Sequence, residues 1–179
     1  MEYSFINEMS TTTRHNHFVA SLIGRIFPLF VKKEIHPLQE NGALVYYGDK
    51  LEGLEELVDP GTIENKEEFI SGEIYTLNFV QPDFLIFYRN EFIQDRKNIR
   101  TAGIPDLVVE VWSDGNKPPE RDMKFRIYSS SDMCEHWYIE QDSNIVTCFK
   151  GKQQLNNQYI TNILTTTTGL EFDLTHMAL

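Results

Sequence analysis

The stretch Leu107-Val108-Val109-Glu110-Val111-Trp112 decides how this chain is read. Apolar residues in so short a run indicate a strand covered on both faces, and Glu110 in its middle is the anomaly. A carboxylate buried without a partner costs several kcal/mol, so Glu110 must face a cation, a donor network or water. A second apolar run, Phe84-Leu85-Ile86-Phe87-Tyr88, follows Pro82-Asp83 and has the same two-sided character. If these two strands are neighbours, Asp83 and Glu110 converge at one end of the sheet, where they can hold a hard divalent cation through oxygen ligands. The alternative is structural: Asp83 caps a turn and Glu110 pairs with an arginine.

Outward from this pair, residues 120–130 read as a helix opened by Pro118-Pro119, with Met123, Ile127 and Tyr128 at helical spacing. Lys124 and Tyr128 stand four apart and share a face of it, with Arg121 one turn before Lys124. A lysine beside a phosphate stabilises developing negative charge or orients an attacking water, as phosphodiester hydrolysis requires; the alternative is a solvated helix face. Residues 136–139, 145–149 and 159–164 read as strands, the first two joined by a Gln141-Asp142-Ser143-Asn144 turn, and residues 165–168 as an edge strand or loop. Towards the N-terminus, Phe18, Val19, Leu22, Ile23 and Ile26 predict a helix over residues 13–27, which Pro28 ends or kinks. Residues 43–47 form a strand after Asn41-Gly42, and beta signals return after Glu73 with Ile74, Leu77 and Phe79. The order is helix, strands, helix, strands, with no internal repeat.

The chain has 179 residues, 41% hydrophobic and 24% charged, which suits one folded domain and excludes disorder and fibrous repeats. The first twenty residues carry acids and hydroxyls where a signal peptide is apolar, and residues 18–31 are too short, and broken by Arg25, for a membrane span. Two cysteines, Cys134 and Cys148, cannot build a disulfide framework, which fits a reducing cytoplasm. His15-x-His17 and Cys134-x-His136 each offer two zinc ligands but lack a third and fourth at a recognisable spacing. There is no Gly-rich phosphate loop, and Ser113 lacks the G-x-S-x-G context of a serine hydrolase.

Five segments, taken in order, carry a resemblance: Glu8-Met9-Ser10 with His15-Asn16 and Leu22; Pro82-Asp83; Gly103-Ile104-Pro105-Asp106 running through Leu107–Trp112 to Ser113; Arg121-Asp122-Met123-Lys124 with Tyr128; and Glu135-His136-Trp137-Tyr138-Ile139. Together with the closing residues 169–174 they resemble the Uma-two family of restriction-endonuclease-like proteins, long described as a domain of unknown function, in the PD-(D/E)XK nuclease superfamily. The resemblance spans nearly the whole chain apart from an acidic segment at 49–73. It implies an α/β fold with a restriction-endonuclease-like core, a mixed central sheet flanked by helices. It further implies Asp83 and Glu110 as metal-binding carboxylates, Lys124 as the catalytic lysine, and one or two Mg2+ or Mn2+ ions held by Asp83, Glu110 and the Val111 carbonyl. The superfamily's usual Glu-x-Lys is broken here by Trp112, and Lys124 on the helix takes the lysine's place. His15 lies where the superfamily often places a first-helix glutamate; Glu8, Tyr128 and Arg121 are further candidates for the site.

The implied activity is metal-dependent hydrolysis of DNA phosphodiester bonds, in a homodimer that addresses two strands. The rival is a catalytically silent nucleic-acid-binding or interaction module that keeps the fold, and a hydrolase of small phosphoesters is a third reading. Replacing Asp83 or Glu110 by alanine is expected to abolish cleavage and leave the fold intact. The formal net charge of −11 at first argues against a nucleic-acid substrate. Residues 49–73, however, hold nine acids against Lys50 and Lys66, a region read as a solvated insertion with a short helix near 51–58. Between Arg89 and Arg126 eight bases face seven acids, one of them Glu110. The charge therefore excludes broad, non-specific coating of nucleic acid and permits a local site whose attraction depends on bound cations.

Overall fold

The computed structural model describes residues 13–33, 36–39, 44–47, 77–88, 92–95, 100–113, 115–140, 143, 145–160 and 162–175. The acidic segment with its expected short helix lies outside them, as does Glu8. The elements, in chain order, are α1 (Thr13–Lys33), β1 (His36–Gln39), β2 (Leu44–Tyr47), β3 (Leu77–Val80), β4 (Phe84–Phe87), β5 (Phe92–Asp95), β6 (Arg100–Gly103), β7 (Leu107–Trp112), α2 (Pro118–Tyr128), β8 (Glu135–Glu140), β9 (Ile145–Lys150), β10 (Gln153–Gln154), β11 (Gln158–Tyr159), β12 (Ile163–Thr165) and β13 (Glu171–Asp173).

The strand built on LVVEVW sits inside a seven-stranded mixed sheet of order β1-β4-β7-β8-β9-β10, with β11 also paired to β9. β4 runs antiparallel to β7, and β7 runs parallel to β8. A parallel pair needs a crossover, and α2 supplies it. Separate sheets join β3-β2-β6-β5 and β12-β13. Alternation along β7 sends Leu107, Val109 and Val111 to one face, where they pack with Phe18, Val19 and Leu22 of α1 and with Phe84, Ile86, Trp137 and Ile139. The opposite face carries Val108 with Leu85, Phe87 and Tyr138, and packs against Ile127 and Tyr128 of α2. The sheet is thus covered on both sides, as the apolar runs required, and it is the mixed, helix-flanked sheet expected of the chain.

Several boundaries differ from the sequence reading. α1 continues through Pro28 to Lys33. The proline deprives the Gly24 carbonyl of its donor, but Gly24 is exposed, so water can satisfy that carbonyl. α2 begins at Pro118, with both prolines in the first turn, where helical N–H groups have no intrahelical acceptor to lose. The expected strand over 159–164 is two short pieces, β11 and β12, separated by a turn. Residues 165–168 leave β12 at Thr165 and turn back toward β13.

On β8, His136 is fully buried, with Nε2 2.9 Å from the Gly151 carbonyl and Nδ1 2.9 Å from the Tyr138 hydroxyl. Because a carbonyl only accepts, Nε2 carries the proton and Nδ1 accepts from Tyr138. Gly151 turns with φ +54, and a Cβ there would collide with the Asp132 side chain, so the site requires glycine. Burial holds the His136 imidazole down at about 4, from an ordinary 6.5, against the opposing bond to Gly151. The unfolded chain therefore takes up a proton that the folded chain resists. The stability involved is fully present above 6.5 and is lost as pH falls through that value toward about 4, a change on the order of 3 kcal/mol. Urea melts of the wild type and His136→Gln at about pH 7 and about pH 4 check this. The wild type should lose more stability on acidification than the variant; equal losses would remove His136 from the account.

Candidate active site

The β4–β7 register pairs Phe84 with Val109 and Leu85 with Val108. Carried one step further, it brings Asp83 alongside Glu110 on the adjoining strand, where the Asp83 side chain reaches the Val111 N–H. Asp83 precedes β4 and Glu110 lies within β7, and both are almost wholly buried, at 2% and 1% exposure. The strands are neighbours, as the sequence reading required, and the two residues stand at the same end of the pair.

Each is held by a distinct set of partners. Asp83 Oδ2 accepts the Val111 N–H at 2.6 Å, and Oδ1 lies 2.9 Å from His15 Nε2. His15 sits on the α1 stripe that continues through Phe18, Val19 and Leu22, so the helix face that fills the core ends in an imidazole at the acid. Glu110 Oε2 accepts from Lys124 Nζ at 2.9 Å, and Oε1 accepts from the Tyr128 hydroxyl at 2.6 Å. Lys124 also donates to the Gln81 carbonyl at 3.3 Å, a main-chain contact with no signature in residue type or spacing. Lys124 and Tyr128, one turn apart on α2, thus address the two oxygens of one carboxylate. Glu110 pairs with a lysine where the structural alternative had an arginine, and Lys124 is buried, not on a solvated face.

The other expected residues fall elsewhere. Arg121 is engaged by other groups: its guanidinium donates to Glu140 Oε1 at 2.8 Å, the Ser113 carbonyl at 3.0 Å and the Asn116 carbonyl at 3.2 Å, and lies 4.6 Å from the centre of the Trp112 ring. It clamps the ends of β7 and β8 to the first turns of α2. Trp112 stacks on Tyr138 with ring centres 4.2 Å apart. His17 is exposed on α1, and Cys134 and Cys148 are both buried.

The chain contains a second Pro-Asp step, Pro105-Asp106, and the fold separates the two. Asp106 stands at the opposite end of β7 from Glu110 and accepts the Tyr88 N–H through Oδ2 at 2.8 Å. Each aspartate therefore caps the neighbouring strand of the same antiparallel pair in the same way. Asp83 is in addition bonded by His15 Nε2 through its second oxygen. The structural alternative had Asp83 cap a turn; the bond it makes is instead to the main chain of the adjoining strand.

Among the described residues no group of three or more His, Cys, Asp and Glu side chains is arranged to hold a metal. Mg2+ needs fewer protein ligands, since it binds through one or two carboxylates and keeps several waters for substrate phosphates. Two carboxylates on adjoining strands are the oxygen donor set that suits it. An ionised carboxylate offers about four acceptor positions, so bonds from Lys124, Tyr128, His15 and Val111 are compatible with cation ligation.

Among the described residues no helix is long and apolar enough to cross a membrane. No curated protein matches the chain. Among solved structures, the chain is similar to a protein from Anabaena variabilis described as a "putative nuclease belonging to DUF820", at TM-score 0.58 and 12% identity, over 95% of this chain and 84% of that one. At that identity the likeness speaks to the fold. The family model described as "Putative restriction endonuclease" matches residues 64–175, a span that holds Asp83, Glu110, Lys124 and Tyr128 together with the whole β4–β7–α2–β8 unit that assembles them, and the chain belongs to that family, Uma2.

Proposed function

We propose that the protein is a metal-dependent endonuclease that hydrolyses DNA phosphodiester bonds, with Asp83, Glu110 and Lys124 as its catalytic residues. The observation that carries this reading is the meeting of three chain segments: Asp83 before β4, Glu110 in β7, and Lys124 of α2 with its Nζ 2.9 Å from Glu110. Membership of a nuclease family supports the reaction class and a nucleic-acid substrate.

Asp83, Glu110 and the Val111 carbonyl would hold Mg2+ or Mn2+, which when bound supplies Lewis-acid polarisation of a phosphoryl oxygen and eases deprotonation of water. The chain's own side chains do the rest. Lys124, paired with Glu110, would offset negative charge as it builds on a phosphate. Its compact ammonium acts as a point charge here, on a stem anchored by the buried face of α2. His15 fixes the orientation of the Asp83 carboxylate from the opposite side. Cutting both strands calls for two such sites, and a homodimer would provide them.

The direct test incubates supercoiled plasmid with the purified protein and Mg2+ or Mn2+, and in parallel with EDTA. Nicked or linear product should form only with the metal. Absence of cleavage under every metal condition, on both DNA and RNA, would favour the silent binding module.

A further inference from the structure

Two tyrosines flank Glu110, and their hydroxyls have different employment. Tyr138 stands directly opposite Glu110 in the β7–β8 register, on the same face of the sheet. Its hydroxyl is spent on His136: Nε2 of that imidazole is committed to the Gly151 carbonyl, which leaves Nδ1 to accept the Tyr138 proton at 2.9 Å. Burial, with the charge of Glu110 adding to it, holds the Tyr138 phenol well above its ordinary range, so it stays neutral and keeps that proton. Tyr128 approaches from α2 instead, is fully buried, and gives its proton to Glu110 Oε1 at 2.6 Å, within the range of a charge-assisted bond.

Resting on the function proposed above, we infer that Tyr128 is a positioning residue whose hydroxyl fixes the Glu110 carboxylate in the orientation required of a metal ligand. Lys124 and Tyr128 hold one oxygen each, and both side chains rise from one helix a turn apart, so the carboxylate plane is set by α2 as a unit. With the hydroxyl removed, Glu110 retains its charge and its lysine but loses the bond that fixes Oε1, and is freer to turn. Partners that orient a ligating carboxylate typically account for 10- to 100-fold in metal affinity.

The experiment measures Mn2+ binding to the full chain by calorimetry, without DNA. Tyr128→Phe retains the ring and its packing, and should weaken Mn2+ binding by about 10-fold or more. Tyr138→Phe deletes an equally buried hydroxyl beside the same carboxylate and should leave the affinity within about twofold. Should Tyr128→Phe fail to fold, Tyr128→4-aminophenylalanine keeps a weaker donor and should bind Mn2+ with an affinity between those limits. Wild-type affinity in the Tyr128 variant overturns the inference alone, as does equal weakening in the Tyr138 variant. If the wild type binds no Mn2+, or if Asp83→Asn and Glu110→Gln leave its binding intact, the metal-dependent reading falls and takes this inference with it.

Discussion

Asp83→Asn is expected to reduce metal-dependent plasmid cleavage by at least about a thousandfold while the variant melts close to the wild type. The rate loss follows from the charge. Metal-assisted stabilisation is worth several kcal/mol of transition-state energy, and each 1.4 kcal/mol or so is a factor of about ten. A neutral amide is a much poorer ligand for a hard cation than a carboxylate. The fold is spared because the amide oxygen can still accept the Val111 N–H that Asp83 Oδ2 accepts at 2.6 Å. Asp106→Asn is the matched control, since Asp106 caps Tyr88 through the same kind of bond at the far end of the strand pair. It should melt like Asp83→Asn and cleave like the wild type. Cleavage that survives in Asp83→Asn would place the activity at another site or in a contaminant, whereas equal loss in both variants would reduce Asp83 to a structural cap.

How far the sequence carried this reading depends on how local each signal was. LVVEVW and FLIF were legible because a strand buried on both faces needs an unbroken apolar run, and Glu110 stood out against it. The helix after Pro118-Pro119 was legible from spacing, as was the shared face of Lys124 and Tyr128. β1, β5 and β6, with sequences HPLQ, FIQD and RTAG, gave no such signal, being four-residue strands whose pairing comes from their neighbours. The path of α1 through Pro28 was hidden for a related reason: the cost of a proline depends on whether the freed carbonyl reaches water, and only the fold decides that. Within the site, the sequence supplied the residue types but not their partners. Nothing in Arg121 itself distinguishes a phosphate ligand from a clamp on Glu140 and the loop carbonyls. Likewise, the Tyr138 hydroxyl is engaged by His136, whose orientation depends on Gly151, fifteen residues away in sequence and brought close by the pairing of β8 with β9.

The second large effect concerns stability, and it separates the role of Lys124 in the fold from its role in the chemistry. Lys124 and Glu110 form an ion pair 2.9 Å long whose side chains are 1% and 2% exposed. Removing one partner of such a pair strands a charge in the interior and typically costs about 3 to 5 kcal/mol. Lys124→Met is therefore expected to lower the melting temperature by roughly 10 °C in a domain of this size. Glu110→Ala should be comparably destabilised, because it leaves Lys124 and the Tyr128 hydroxyl without their carboxylate. The earlier expectation that this substitution spares the fold is revised on that account, and a null cleavage result with it would be ambiguous. The double variant Glu110→Gln with Lys124→Met resolves the ambiguity. It removes both charges together, leaves the glutamine amide oxygen to accept from Tyr128, and should recover most of the stability lost in Lys124→Met, because replacing a buried pair as a whole is often close to neutral. Its cleavage should not recover, since neither the ligand charge nor the ammonium is restored. A double variant that melts no higher than Lys124→Met would show that the pair is not the source of the instability. One that regained both stability and metal-dependent cleavage would remove Glu110 and Lys124 from the mechanism altogether.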